Sequence, residues 1–151
     1  MATITRAGIA DNRLMRHGSE TTLAWLTLVA SATHFVLETW YHLTWGQPLQ
    51  ALLVDYLCNV LMLSAGWRSL RVRPASAAGL LAAGWAFALG FGWRSVFGRM
   101  ERLDTGQAAA NGEAGFVLPI LVASLAVVAV ALVWSLWLAW RQSSRSADRS
   151  R

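Results

Sequence analysis

Three ionisable side chains, His34, Glu38 and His42, stand four residues apart inside the apolar stretch Leu23–Trp45. On an α-helix a four-residue step turns by only about 40° beyond one full turn, so the three share one stripe. Charge at membrane depth is costly, and such groups usually face a protein interior, a partner or a water-filled cavity. A second stripe follows at Asp55 and Asn59, with Met62 and Gly66 continuing its face. Glu38 lies seven residues before Trp45, and Asp55 seven after Pro48. At 1.5 Å per residue both sit roughly 10 Å inside the same interface. His34 and Asn59 are each one turn deeper, so the stripes match in depth if the segments form an antiparallel hairpin. Two carboxyl groups at one depth cannot both carry charge without a balancing cation, and pairs in unlike environments are how acids and bases are tuned. The expected chemistry is proton transfer, with Glu38 and Asp55 as donor and acceptor, His34 as modulator, and Asn59 and Arg94 as orienting groups. The alternative is a hydrogen-bond network, His34 to Glu38 and Asp55 to Asn59, that only holds the hairpin together.

Metal ligation is a weaker expectation. His34 and His42 are about 12 Å apart along a helix axis, too far for one ion to take both. A site would have to use one histidine with Glu38, completed by Asp55. Neither Glu-x-x-His nor His-Glu-x-x-His occurs, so no metal and no cofactor is assigned. His42 lies toward the rim, as a ligand contact or an interfacial residue. No Gly-rich phosphate loop, Gly-x-Ser-x-Gly elbow or Cys-x-x-Cys is present.

The elements that must position these residues follow from composition. The chain has 151 residues, is 56% hydrophobic and has a mean hydropathy of +0.42. Four segments approach the ~20 residues that cross a bilayer core, at 23–45, 49–70, 77–97 and 116–140. None alternates in polarity as a barrel strand would. The predicted fold is all-α, an integral-membrane four-helix bundle of up-down topology over 20–140, between a tail at 1–19 and a basic tail at 141–151. The connection Gly46-Gln47-Pro48 is so short that the first two helices must be antiparallel neighbours.

Charge sets the expected orientation. All 13 basic residues are arginine, and they cluster at Arg6, Arg13 and Arg16, at Arg68, Arg71 and Arg73, and at Arg141, Arg145, Arg149 and Arg151. In the third loop, Gly98–Gly115, Arg99 and Arg102 are offset by Glu101, Asp104 and Glu113. This positive-inside pattern puts both termini in the cytoplasm of a bacterial inner membrane. The net charge of +5 therefore reports topology rather than a nucleic-acid partner. The triplet Ala30-Ser31-Ala32 mimics a signal-peptide cleavage site. Cleavage is not expected, because it would leave Phe35-Val36-Leu37 as an exposed apolar start. Cys58 stands alone and reads as a buried structural thiol.

Residues 1–19 read as a mobile or surface-lying tail, with Ser19 or Thr21 capping the first helix. The third span shows a small-residue face, Gly79, Ala83, Ala86 and Gly90, leading to Arg94 and suited to close helix packing. Arg94 is placed to balance Glu38 or Asp55, to bind an anionic headgroup, or to snorkel to the interface. The fourth span is nearly all Val, Ala and Leu, with Ser124 and Ser135 its polar exceptions, and reads as lipid-facing. Gly66-Trp67-Arg68-Ser69 is echoed by Gly92-Trp93-Arg94-Ser95, each closing a span as an interfacial anchor.

The run His34-Phe-Val-Leu-Glu38-Thr-Trp40-Tyr41 resembles the His-x-x-x-Glu-x-Trp segment of the emopamil-binding (EXPERA) family of multi-span membrane proteins, which includes sterol isomerases. The resemblance covers about eight residues. It implies that His34 and Glu38 are acid/base groups and that Trp40 shields a cationic intermediate.

Two functional readings fit the sequence. In the first, an intramembrane pocket binds, or does acid/base chemistry on, a small apolar or lipid-like molecule. In the second, the protein is a non-enzymatic subunit of a membrane complex, or a proton- or ion-coupled transporter component, assembled as a homo-oligomer or larger complex. A redox-metal subunit is a third. Membrane lipids are partners in every case.

Overall fold

The computed structural model describes the backbone of residues 3–46, 48–71, 77–105 and 113–149, and the side chains of 18–46, 48–71, 77–105 and 117–144. Four helices account for nearly all of it: α1 (Thr3–Trp45), α2 (Leu49–Arg71), α3 (Ala77–Asp104) and α4 (Glu113–Arg149). Three segments are long and apolar enough to cross a membrane, Leu49–Arg71, Ala77–Asp104 and Val117–Ser144. α1 is not among them. Its polar stripe lowers its apolar content, although its other face exposes Trp25, Val29, Val36 and Leu43.

The helices form two hairpins, α1 with α2 and α3 with α4, joined side by side through α2 and α3. Gly46 ends α1 in the left-handed region (φ 72°), which favours glycine, and its N–H donates to the His42 carbonyl at 3.1 Å. The Pro48 carbonyl then accepts from the N–H groups of Ala51 and Leu52, opening α2 without need of a proline donor. α1 and α2 approach closely at Gly66. A Cβ there would lie 2.9 Å from Leu28 Cγ and 3.1 Å from the Ala24 carbonyl oxygen.

α2 buries Leu52, Asp55, Asn59, Met62 and Gly66, spaced three and four apart. Ala78, Leu81 and Trp85 of α3 meet Leu23, Met62, Ala65, Ala131 and Leu138 in a core at one end of the molecule. α1 and α4 touch at that end, where Trp134 Nε1 donates to Ser19 Oγ at 3.0 Å and Gln142 Nε2 to Glu20 Oε2 at 3.5 Å. Toward the α1–α2 turn the helices enclose a cavity instead.

Several expectations change. α1 is helical from Thr3, well before the expected start near residue 20, and neither Ser19 nor Thr21 caps a helix start. α3 continues beyond 97 to Asp104, because Arg, Met, Glu and Leu are good helix formers. α4 likewise continues through the polar tail to Arg149, and Gln142 is buried. The loops at 72–76 and 106–112 lie outside the described residues. The small-residue face of α3 is not its packing face: Gly79, Ala83, Ala86 and Gly90 are exposed, and open space surrounds Gly79 and Gly90. Gly84 and Gly92 make the close approaches instead, to Met62 and Leu125. α4 buries only a thin stripe, Ala131, Ser135, Leu138 and Gln142, in keeping with a mainly outward-facing helix. Cys58 is buried, and Trp67 and Trp93 of the repeated tetrapeptide point outward.

Candidate functional site

The stripes of α1 and α2 face each other. His34 Nδ1 lies 3.2 Å from Asn59 Oδ1, and Ser31 Oγ donates toward the same oxygen at 3.0 Å. His34 Nε2 lies 3.6 Å from Glu38 Oε1 and 3.9 Å from Asp55 Oδ1. One donor atom from each of His34, Glu38 and Asp55 falls within 4.8 Å of the others. Asp55 is almost wholly buried, while Glu38 and His34 are partly open. The depth match read from the turn is thus realised as side-chain contact. Phe35 and Thr39 fix the same register from the next face, with ring centroids 4.9 Å apart for Phe35–Tyr56 and a 2.9 Å hydrogen bond between the Thr39 and Tyr56 hydroxyls.

These groups line a cavity of about 1640 Å³ bounded by all four helices. Buried Trp85 and Met62 are part of its lining, and the Trp85 indole donates to Thr27 Oγ1 at 3.1 Å. Phe91, Ile120, Leu121, Leu125 and Val128 give α3 and α4 an apolar wall. Toward the opposite end the lining turns basic, with Arg94, Arg99 and Arg102 beside Glu101. The space is far larger than an ordinary packing void, exceeds the roughly 300–1,000 Å³ of most small-molecule pockets, and shares with them an apolar lining that carries a few convergent polar groups.

The expected site residues divide as follows. His34, Glu38, Asp55, Asn59, Trp40 and Arg94 all line the cavity, and His42 does not. The helical drift explains its exclusion: two four-residue steps from His34 rotate a side chain by about 80°. Tyr41, seven residues on from His34, lines the cavity in its place. Arg94 is exposed and pairs with neither carboxylate among the described residues. Arg99 also lines the cavity, and its guanidinium carbon lies 5.2 Å from the Tyr41 ring centroid. Sequence reasoning assigned Arg99 to a loop and so missed it. It also missed Ser31, Thr27, Tyr41 and Trp85. The available signal was a stripe of alternating four- and three-residue spacing, Thr27, Ser31, His34, Glu38 and Tyr41, which follows a helix face better than a run of fours.

Chemically, the arrangement joins a histidine and two carboxyl groups at the floor of an apolar chamber with a basic rim. His34 Nδ1 engages Asn59 Oδ1, which fixes the ring so that Nε2 faces the carboxylates. No protein-family model matches this chain, and no curated protein or solved structure is detectably similar to it.

Proposed function

We propose that this is a four-span protein of a bacterial inner membrane, with both termini inside, whose central cavity binds a small amphiphilic or lipid-like molecule. α1 spans with the others in this reading because it is the antiparallel partner of a span, and its polar stripe turns inward while apolar side chains face lipid. The observation that carries the ligand reading is the cavity itself: an apolar wall, a polar floor at His34, Glu38 and Asp55, and three arginines along its outer part. An apolar body fits against Phe91, Leu121 and Leu125, and an anionic or polar head against Arg94 and Arg99. Glu38 and Asp55 are then the groups that exchange a proton with the bound molecule, His34 modulates them, and Asn59 and Trp40 orient it. The likeness of His34–Tyr41 to the emopamil-binding segment supports the same roles.

The test is purification in mild detergent followed by native mass spectrometry and lipid extraction. A stoichiometric small molecule should accompany the wild-type chain and be depleted in the Glu38→Gln/Asp55→Asn double variant. An identical set of bound molecules in both would refute the assignment of the pocket.

A further inference from the structure

From the floor geometry we infer that His34, Glu38 and Asp55 form a binding site for one first-row divalent metal ion, with an open coordination position directed into the cavity. The inference rests on the positions of three side chains and not on the lipid-ligand reading.

The first support is distance. His34 Nε2 stands 3.6 Å from Glu38 Oε1 and 3.9 Å from Asp55 Oδ1. These separations are too long for direct hydrogen bonds. Metal–nitrogen and metal–oxygen bonds of about 2.0–2.2 Å place neighbouring tetrahedral ligands ~3.4 Å apart. The two histidine edges exceed that by about 0.2 and 0.5 Å, and the edge between the carboxylates is within 4.8 Å, so side-chain rotations of Glu38 and His34 must draw the three together.

The second support is the shell around the histidine. A metal-bound imidazole presents one nitrogen to the ion while the other donates to a fixed acceptor. Asn59 Oδ1 provides that acceptor at 3.2 Å from Nδ1, and Ser31 Oγ holds the same oxygen at 3.0 Å. With Nδ1 donating to Asn59 Oδ1, the lone pair of Nε2 faces two carboxyl groups, a donor set that a cation can bridge.

Asn59 supplies an independent third support. It is 3% exposed and lines the cavity, yet its Nδ2 has no hydrogen-bond partner among the described residues. A buried amide donor without an acceptor costs about 1–3 kcal/mol. A water or ligand oxygen on the open position of the ion would satisfy it. Charge agrees as well, because a divalent ion cancels two carboxylates at membrane depth. One nitrogen and two oxygen donors suit Zn²⁺, Fe²⁺ or Mn²⁺ rather than a thiolate-seeking ion. An ion here takes the place of the exchangeable proton and makes Glu38 and Asp55 its ligands, leaving the apolar chamber and basic rim unchanged.

The experiment uses the full chain in detergent, stripped with chelator and titrated with Co²⁺ as an optical probe, then with Zn²⁺ in competition. The expected result is one ion per chain, with visible ligand-field bands that Zn²⁺ abolishes. His34→Gln and Asp55→Asn should lose the bands, and His42→Gln should keep them. Asn59→Leu should weaken binding by about 10–100-fold, as loss of a supporting hydrogen bond does at other metal centres. Should Asp55→Asn fail to fold, the partly open Glu38→Gln carries the same test. Wild-type protein that binds no stoichiometric ion, or His34→Gln protein that binds as tightly as wild type, overturns the inference. Metal binding without a co-purifying lipid would uphold this site and remove the ligand reading, and the converse result would do the reverse.

Discussion

Replacing Gly66 with alanine tests the contact that sets α1 against α2 and therefore the floor of the cavity. The new Cβ would stand 2.9 Å from Leu28 Cγ, 3.0 Å from Leu28 Cδ2 and 3.1 Å from the Ala24 carbonyl oxygen. Leu28 can swing aside, but the Ala24 oxygen is backbone of the facing helix, so part of the overlap must be relieved by separating the helices. Overpacking of this kind costs typically ~1–3 kcal/mol. Alanine also favours a helix over glycine by about 1 kcal/mol, which offsets some of the loss. Gly90→Ala provides the control: it sits in the same kind of helix interior, and its Cβ would meet nothing within 4 Å. The propensity gain is common to both variants and cancels in their difference, which isolates the steric cost at ~1–3 kcal/mol. For a chain of this size that corresponds to a separation of about 3–12 °C in unfolding midpoint. Thermal unfolding in one detergent, followed by tryptophan fluorescence, measures it. Leu28→Ala added to Gly66→Ala should recover part of the loss, a coupling of at least ~0.5 kcal/mol in a double-mutant cycle. Equal midpoints for Gly66→Ala and Gly90→Ala would refute the close approach, and with it the register that joins His34 to Asn59.

Two further outcomes follow from the same arrangement. In a Cys58→Ala background, Ser31→Cys/Asn59→Cys should form a disulfide under mild oxidant, because Ser31 Oγ already lies 3.1 Å from the Asn59 carbonyl oxygen, whereas Ser31→Cys/Ser64→Cys should not; equal crosslinking of both pairs, read by mobility on denaturing gels, would exclude this hairpin register. Single cysteines at exposed Ser144 and Thr105 should react with a membrane-impermeant maleimide from opposite sides of the membrane, Thr105 from outside whole cells, and labelling of both from one side would exclude the proposed topology.

Much of the hairpin was legible because local rules suffice for it. Gly46 and Pro48 force a tight reversal, and helical rise alone then places Glu38 opposite Asp55 and His34 opposite Asn59. Cys58 and the outward Trp67 and Trp93 follow equally from hydrophobicity and position. Hydropathy alone was less informative about α1: its inward polar stripe depresses the average for a helix whose outer face is apolar. Apolar length alone does not mark where a helix ends: Arg99, Met100, Glu101 and Arg102 prolong α3 past its apolar stretch without interruption.

The sequence by itself therefore determined the class of element, the first turn and the matched depth of two polar stripes, because rise, rotation and hydrophobic length are properties of a single helix. Only the tertiary structure decided which face of α3 packs, that Gly66, Gly84 and Gly92 rather than the Gly79–Gly90 row make close approaches, and that Arg99 and Tyr41 rather than His42 line the cavity. It also decided that α1 and α4 meet at one end and leave a chamber toward the other. Those outcomes depend on the rotation of each helix about its own axis against its neighbours. That rotation is set by side-chain fit across the interface, such as Leu28 over Gly66 and Met62 against Gly84, and no single segment contains it.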